Sequence, residues 1–587
     1  MSAERGPESA ESRTDIGEGD LMGELSRRQL LAGSAVVALG AAAAPAVVGC
    51  SKNSDAAATG HGDWVELETA MKETTLDGHQ VRLRAYNGKI PGPLIEARPG
   101  DTLRIRLKNS LPPYDSSAWT GDHNVPHGLD ATNLHVHGLD VVPHIFEPVG
   151  TSDPLAPQIV VGPGETKEYV FELPADHPPG FNFYHPHKHG STSAQVGSGL
   201  AGPIIIRGAI DEVPEIKAAR EIVLAVQDIG LFPSEDDPNV WQYLPVQNAI
   251  WQTFGGFVTI FGKRTNLRGG FTTGDYALHY FLLNGEPFFK EEHDYTPGKE
   301  TEPKGTQLPV QRFTIAPGEV VRFRMLNGAT DNMMPIVVDG HDMYLTAMDG
   351  VNFPETRVIL ERQPGDTTEQ VLVATGNRTD FLIKGNAKPG IYRIRQLAQT
   401  AQFLKSDEKV VAEIEVTGPP KNMAVPTKLP IPSRLYPLIK PEEVKNVRMI
   451  EFMTSTPGMI NLVTGGDYLV NNAIYNEKEV PVVTHLDDVE EWWIKVGTGH
   501  PGGDEGHPFH IHVNSFEVIS VDGKPLPPGT IQDTVWVGAG QTVVIRQRYK
   551  QHVGKSVFHC HILPHEDTGM MSNFLILPPG EDMTHKH

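Results

Sequence analysis

The sequence predicts an all-β protein made of three consecutive β-sandwich domains, and three observations carry that expectation. From about Asp63 onward, short β-rich runs such as Val81-Arg-Leu-Arg-Ala-Tyr86 and Thr102-Leu-Arg-Ile-Arg-Leu107 alternate with Gly and Pro turns, the rhythm of a sandwich. The chain also repeats itself. Pro317-Gly-Glu-Val-Val-Arg-Phe-Arg-Met-Leu-Asn327 answers Pro99-Gly-Asp-Thr-Leu-Arg-Ile-Arg-Leu-Lys-Asn109, as expected when one unit is used more than once. Finally, 587 residues hold about three or four domains at roughly 150 residues each once a leader is removed.

The N-terminal segment has its own logic. Ser26-Arg27-Arg28-Gln-Leu-Leu31 precedes an Ala-rich apolar run to Val48, the layout of a twin-arginine export signal. Val47-Val-Gly-Cys50 follows and resembles a bacterial lipobox. Cys50 is then the lipidated first residue of a mature chain in the periplasm or at the cell surface; in the alternative, an Ala-x-Ala site is cut and Cys50 is lost or free. Residues 51–62 form a flexible tether. No later run approaches the ~20 apolar residues of a membrane span.

Composition narrows the function. A formal charge of -23 disfavours nucleic acid and suits solubility or cationic partners. The two cysteines, Cys50 and Cys560, both have other assignments, so no disulfide framework is expected.

The first sandwich, residues 63–214, carries Asn133-Leu-His135-Val-His137 and Phe183-Tyr-His185-Pro-His187-Lys-His189. Histidines at i and i+2 of a strand share a face, so each pair can offer two imidazoles to one metal cluster. His189 continues the alternation as a surface histidine or one behind the ligands.

The second sandwich, 215–417, keeps the rhythm and lacks the histidines. Aligning Met348-Asp-Gly350 with Val521-Asp-Gly523 sets Met334, Val337 and Asp339 opposite His507, His510 and His512; aligning Gly390 with Gly554 sets Arg395, Gln396 and Leu397 opposite His559, Cys560 and His561. Its metal positions are vacant, and its expected role is to hold the outer sandwiches at the right separation. Within it, residues about 230–273 form an aromatic insertion with Trp241, Tyr243, Trp251, Phe254, Phe257 and Phe261. This insertion packs on its own domain or, in a sharper reading, caps a substrate site or rests on a membrane.

A Pro-rich linker, 418–434, leads to the third sandwich, 435–580, and a tail, 581–587, whose His585 and His587 are an incidental pair. Here Gly506-His507-Pro-Phe-His510-Ile-His512 is followed by Phe558-His-Cys-His-Ile-Leu-Pro-His-Glu-Asp-Thr-Gly-Met570. In a strand, Cys560 points one way and His559 and His561 the other. Cys560, His565 and Met570 supply the S, N, S set of a blue-copper electron-transfer site, with His507 free to turn towards it. His559 and His561 face a second site, and the Cys560 backbone joins the two.

Together these four motifs resemble the multicopper oxidases, over residues 63 to 580, with a look of bacterial three-domain members such as copper-efflux oxidases and laccases. The resemblance implies cupredoxin-like Greek-key sandwiches and four copper ions. It implies His507, Cys560, His565 and Met570 at a type 1 copper and His135 and His510 at the type 2 copper. It further implies His137, His185 and His561 at one type 3 copper and His187, His512 and His559 at the other. A donor reduces the type 1 site, electrons pass through Cys560, and O2 becomes water. Glu566 is the implied proton source, with Asp153 as a second candidate. Met570 as axial ligand implies a low potential and easily oxidised donors. The expected donor is a phenol or aromatic amine; the alternative is Cu(I), Fe(II) or Mn(II), drawn by Asp504 and Glu505. A reading of another class is a copper carrier that turns nothing over.

Overall fold

The computed structural model describes residues 58–59, 62–116, 119, 121–234, 236–243, 259–260, 263–264, 276–292, 304–360, 371–399, 406–454, 468–498 and 505–582. The leader with Arg27, Arg28 and Cys50, the insertion residues Trp251, Phe254, Phe257 and Phe261, Asp504, and the tail histidines lie outside them.

Each of three successive sandwiches packs two sheets around its own apolar core. In the first, Thr102–Asn109 buries Leu103, Ile105 and Leu107 and turns Arg104 and Arg106 outward, the period-2 alternation of a half-buried strand. Those residues meet Val136, Tyr184 and Ile204 from the opposing sheet, where His135–His137 pairs with Gly180–His185. The third sandwich is built likewise around Trp492, Phe509, Phe558 and Cys560, with His507–Ile511 lying beside Gly554–Cys560.

In the middle sandwich, Val320–Asn327 is buried along its whole length, because Arg220–Pro233 runs parallel on one side and Arg378–Lys384 antiparallel on the other. Its two arginines survive burial through carboxylates. Arg322 pairs with Asp211 at 2.7 Å and Asp380 at 2.6 Å, and Arg324 with Glu221 at 2.8 Å. The described part of the aromatic insertion ties sandwiches together: Val240–Gln242 pairs with Arg220–Pro233 and also runs parallel to His79–Tyr86 of the first sandwich. Tyr243 is buried with Leu129, Ala194, Phe232 and Tyr276. The insertion therefore does not pack on its own domain alone.

The strand register repeats between sandwiches. In the third, His510 pairs with His559 and Phe509 with Cys560; in the middle one, Val337 pairs with Arg395 and Ile336 with Gln396. In the first, His135 pairs with His185. Equivalent backbone positions thus carry histidines and Cys560 in the outer sandwiches. In the middle one they carry an ion pair, Arg395 to Asp339 at 2.7 Å, and an amide pair, Gln396 Nε2 donating to Asn332 Oδ1 at 2.7 Å.

Candidate functional site

The strand Gly554–Cys560 ends in two centres. On one face, Cys560 Sγ lies 3.5 Å from His507 Nδ1 and 3.7 Å from His565 Nδ1, and the two nitrogens are 3.3 Å apart. One thiol and two imidazole nitrogens at the corners of such a triangle are a His2Cys ligand set. Burial pushes the Cys560 thiol far up and, with His507 alongside, holds the His565 ring well below its usual pKa, so its nitrogens are uncharged donors. The short helix Leu563–Asp567 brings His565 back to the strand, and Met570, fully buried, returns its carbonyl to Cys560 N at 3.0 Å. Tyr468 stacks on the His565 ring at 4.0 Å. On the outer side of that ring, Glu505 Oε1 sits 3.3 Å from His565 Nε2. Burial raises the Glu505 carboxyl to about 8.

On the other face, eight histidines converge from two sandwiches in three groups, His135, His137 and His510; His137, His185 and His561, sharing His137 with the first; and His187, His512 and His559. His187 Nε2 and His512 Nε2 lie 3.1 and 3.2 Å from His559 Nε2, and His137 Nδ1 lies 3.3 Å from His561 Nε2. His135 stacks on His512 and His137 on His510, each at 3.9 Å. Such packing of bases is tolerable only because the rings are neutral. Burial first and neighbouring histidines next hold His135, His137, His187, His512 and His561 well below their usual pKa, and burial holds His559 at about 3.

Whether metal fits is decided by the second nitrogen of each ring. His185 Nδ1 donates to Pro186 O at 2.8 Å, His510 Nδ1 to Asp533 O at 2.8 Å, and His559 Nδ1 to Cys560 O at 2.9 Å. These bonds fix the tautomer that leaves Nε2 as a lone-pair donor. The Nε2 atoms of His135, His185 and His510 are buried with no hydrogen-bond partner, the state of ligands awaiting a cation. Both donor sets fit copper.

Several supports carry no sequence signal. His144 Nε2 accepts from Val136 N at 3.1 Å and faces His135 Nδ1 at 3.2 Å. Asp533 Oδ1 accepts from His137 Nε2 at 3.1 Å and is gripped by Arg378. Asp567 accepts from Gly190 N at 2.6 Å and Ser193 N at 2.7 Å, clamping the first sandwich to the third. Asp533 and Asp567 gain their roles only through contacts across hundreds of residues, so no local pattern marks them, whereas His144 lies nine residues from His135.

The sequence candidates sort clearly. Glu566 is fully buried, its two oxygens each 3.4 Å from a ring, His187 Nδ1 and His559 Nδ1. Asp153 does not join them: it lies on the surface, where its carboxylate accepts from Leu155 N at 2.9 Å in a turn. The expectation that Asp153 serves the cluster is therefore corrected, and Asp533 is the acid that touches a cluster histidine from the loop side. His189 is buried behind the ligands, its Nε2 3.1 Å from Asn124 Oδ1.

Three family models described as multicopper oxidase match residues 68–130 with 124–210, 276–414 and 442–580. The chain is 24% identical to the multicopper oxidase mco of Staphylococcus haemolyticus over 84% of its own length and 83% of that protein's. It is 26% identical to a laccase of Haloferax volcanii over 88% and 80%. Among solved structures it is similar to the Campylobacter jejuni multicopper oxidase, a metallo-oxidase, with a TM-score of 0.62 and 23% identity over 88% of this chain and 91% of that one.

Proposed function

This chain belongs to the multicopper oxidase family, and we propose that its electron donor is a small phenol or aromatic amine, oxidised one electron at a time beside His565. Four copper ions, one of type 1, one of type 2 and two of type 3, supply the chemistry: electron uptake at the first and reduction of O2 to water at the other three. In this reading His507, Cys560, His565 and Met570 hold the type 1 ion. His135 and His510 hold the type 2 ion, His137, His185 and His561 one type 3 ion, and His187, His512 and His559 the other. The Cys560 backbone, with His559 and His561 bonded to it on either side, is the covalent link between donor side and oxygen side. Glu566, against His187 and His559, delivers protons to the oxygen side.

The observation that carries the donor assignment is the Glu505 carboxylate at 3.3 Å from His565 Nε2. A phenol that loses an electron also sheds its O–H proton, and the Glu505 side chain beside the His565 ring, whose carboxyl burial raises to about 8, takes that proton in its ionised form, so phenol turnover should rise as pH approaches 8. Fe(II) or Mn(II) as donor needs several oxygen ligands together. Among the described residues Glu505 belongs to no such group. Similarity to a laccase supports the organic donor. Similarity to a metallo-oxidase supports the second reading, oxidation of Cu(I), Fe(II) or Mn(II), for which Asp504 would join Glu505.

An oxygen electrode separates the two. Copper-loaded enzyme is given a phenol, Fe(II), Cu(I) and Mn(II) in turn, then the same series with Glu505→Gln. Phenol turnover should fall roughly 10²-fold, the low end for loss of a positioned base, while a donor that releases no proton is little affected. Faster turnover of a metal ion than of any phenol, or unchanged phenol kinetics in the variant, would sink the reading. No O2 uptake with any donor would point instead to a carrier.

We also infer export by the twin-arginine route and anchoring through a lipid on Cys50, supported by Arg27-Arg28 and by Val47-Val-Gly-Cys50. Mass spectrometry of the mature N-terminus tests this: an unmodified start beyond Cys50 refutes the anchor.

A further inference from the structure

The middle sandwich contains another buried donor cluster. Asp228 on the strand Arg220–Pro233, His279 on Leu278–Leu283 and Asp331 in the turn after Val320–Asn327 bring one ligand atom each within 4.8 Å of one another. Asp228 pairs with Phe281 and Gly230 with His279, so Asp228 and His279 are diagonal neighbours on one sheet face. Their exposures are 1% for Asp228, 2% for His279 and 7% for Asp331.

Two features point to a cation. His279 Nε2 lies 3.3 Å from Asp228 Oδ2, beyond the ~2.7–2.9 Å of a charge-assisted hydrogen bond. That separation is natural for two ligands sharing one ion with bonds of about 2.0–2.2 Å. The other ring nitrogen, Nδ1, is buried with no hydrogen-bond partner and faces Glu291 Oε2 at 3.8 Å. A carboxylate behind the far nitrogen is the usual companion of a metal-bound histidine.

The charges agree. Were Asp228, Asp331 and Glu291 all ionised and His279 neutral, as metal binding would make them, three negative charges would face one lysine, Lys409, which pairs with Glu291 at 3.4 Å, leaving two to be compensated. Burial and the Asp228 charge push the Asp331 carboxyl far above its usual range. One dication cancels both charges. Two protons would do the same, on Asp331 and on His279, which burial lowers but Asp228 and Glu291 raise to about 10.

We propose that Asp228, His279 and Asp331 bind a divalent transition-metal cation, Zn2+ or Mn2+, as a fifth metal site of the protein. Two carboxylates and one imidazole suit such ions. The cluster adjoins the segment carrying His565: Thr330 donates from N and Oγ1 to Asp228 at 2.7 and 2.9 Å, and its carbonyl accepts from Leu563 N at 3.0 Å, where the short helix begins.

The test is elemental analysis of copper-replete, full-length enzyme equilibrated with Zn2+ or with Mn2+ and then dialysed. We expect about one further ion per chain beyond the coppers, with affinity reduced roughly tenfold or more by Asp331→Asn and by His279→Gln. Copper content and blue colour should persist in both variants. A variant ending at Asp582, without His585 and His587, should keep the ion. Absence of an extra ion in the unaltered enzyme overturns the proposal, as does its loss on trimming the tail. Should the variants fail to fold, X-ray absorption at the zinc edge of unaltered enzyme decides: one imidazole among oxygen ligands supports the site, and two or more imidazoles refute it.

Discussion

Arg378 grips Asp533 with a fork of two hydrogen bonds, Nη1 to Oδ1 at 2.9 Å and Nη2 to Oδ2 at 2.6 Å, while the same Oδ1 accepts from His137 Nε2 at 3.1 Å. Guanidinium, carboxylate and imidazole come from the second, third and first sandwiches respectively. Asp349 completes the arrangement by accepting from Arg378 N at 3.0 Å and Thr534 N at 3.2 Å. The middle sandwich therefore helps fix the orientation of a cluster histidine.

Replacing Arg378 with Met should leave the Asp533 charge buried and unpaired, a loss of about 3–5 kcal/mol. Arg378→Lys should recover only part of it, because a single ammonium cannot reproduce the fork. Denaturant unfolding together with copper counting checks this. Wild-type stability and four coppers in the Met variant would mean that the fork does nothing for the cluster.

Gly376 makes a second demand on the same sandwich. Its φ is +82°, and a Cβ there would sit 2.7 Å from His561 Cδ2. Gly376→Ala combines backbone strain of about 1–2 kcal/mol with a collision against a ligand. The expected outcome is a protein that stays blue, with His507, Cys560 and His565 untouched, yet binds less copper at the eight-histidine cluster and consumes O2 slowly. Paramagnetic resonance and metal analysis on one sample would expose the split; uniform loss of both centres would instead indicate general misfolding.

The fold was largely legible because alternation at residues such as Leu103, Ile105 and Leu107 is a local property, set by which face of a strand is buried. The clustering of candidate ligands was legible for the same reason: His559 and Cys560 close one strand and His561 follows it, so their alternating directions follow from spacing. The internal repeat also gave the register, with Val337 and Arg395 paired as His510 and His559 are. What the chain hid is everything fixed by distance in space. His137 meets Asp533 396 positions away, and Glu477 accepts from Gln158 N across 319. Asp153 misled for that reason: its place after a His-x-His loop is a sequence property, whereas access to the cluster depends on which loop folds inward.

Acid should destabilise the protein in a defined window. His127 stacks on Trp119 at 4.7 Å and gives its Nδ1 proton to Val125 O. Burial, then the Lys188 charge, lowers its pKa from 6.5 to about 4. Between those values the unfolded chain binds a proton that the folded chain refuses. Stability is therefore present above about pH 6.5, is lost as pH falls towards 4, and levels off below, by at most about 3 kcal/mol. Unfolding curves of His127→Gln against wild type, taken at several pH values, should converge as pH falls through this range. Parallel curves would show that His127 is not the group responsible.

Glu566 separates the two halves of the reaction. It touches His187 and His559 at 3.4 Å and lies one residue beyond His565, so its amide should fit the same space while holding no transferable proton. Loss of a positioned acid slows a proton-dependent step by about 10²–10⁴-fold. In Glu566→Gln, reduction by the donor under anaerobic conditions should bleach the blue colour at the wild-type rate, because the His507–Cys560–His565 centre is unchanged. Reoxidation on mixing with O2 should be slow, and slower still with rising pH as other proton sources empty. Stopped-flow spectroscopy resolves the two phases. Normal reoxidation in this variant would move the proton supply away from Glu566, leaving the loop-side acid Asp533 as the next group to substitute.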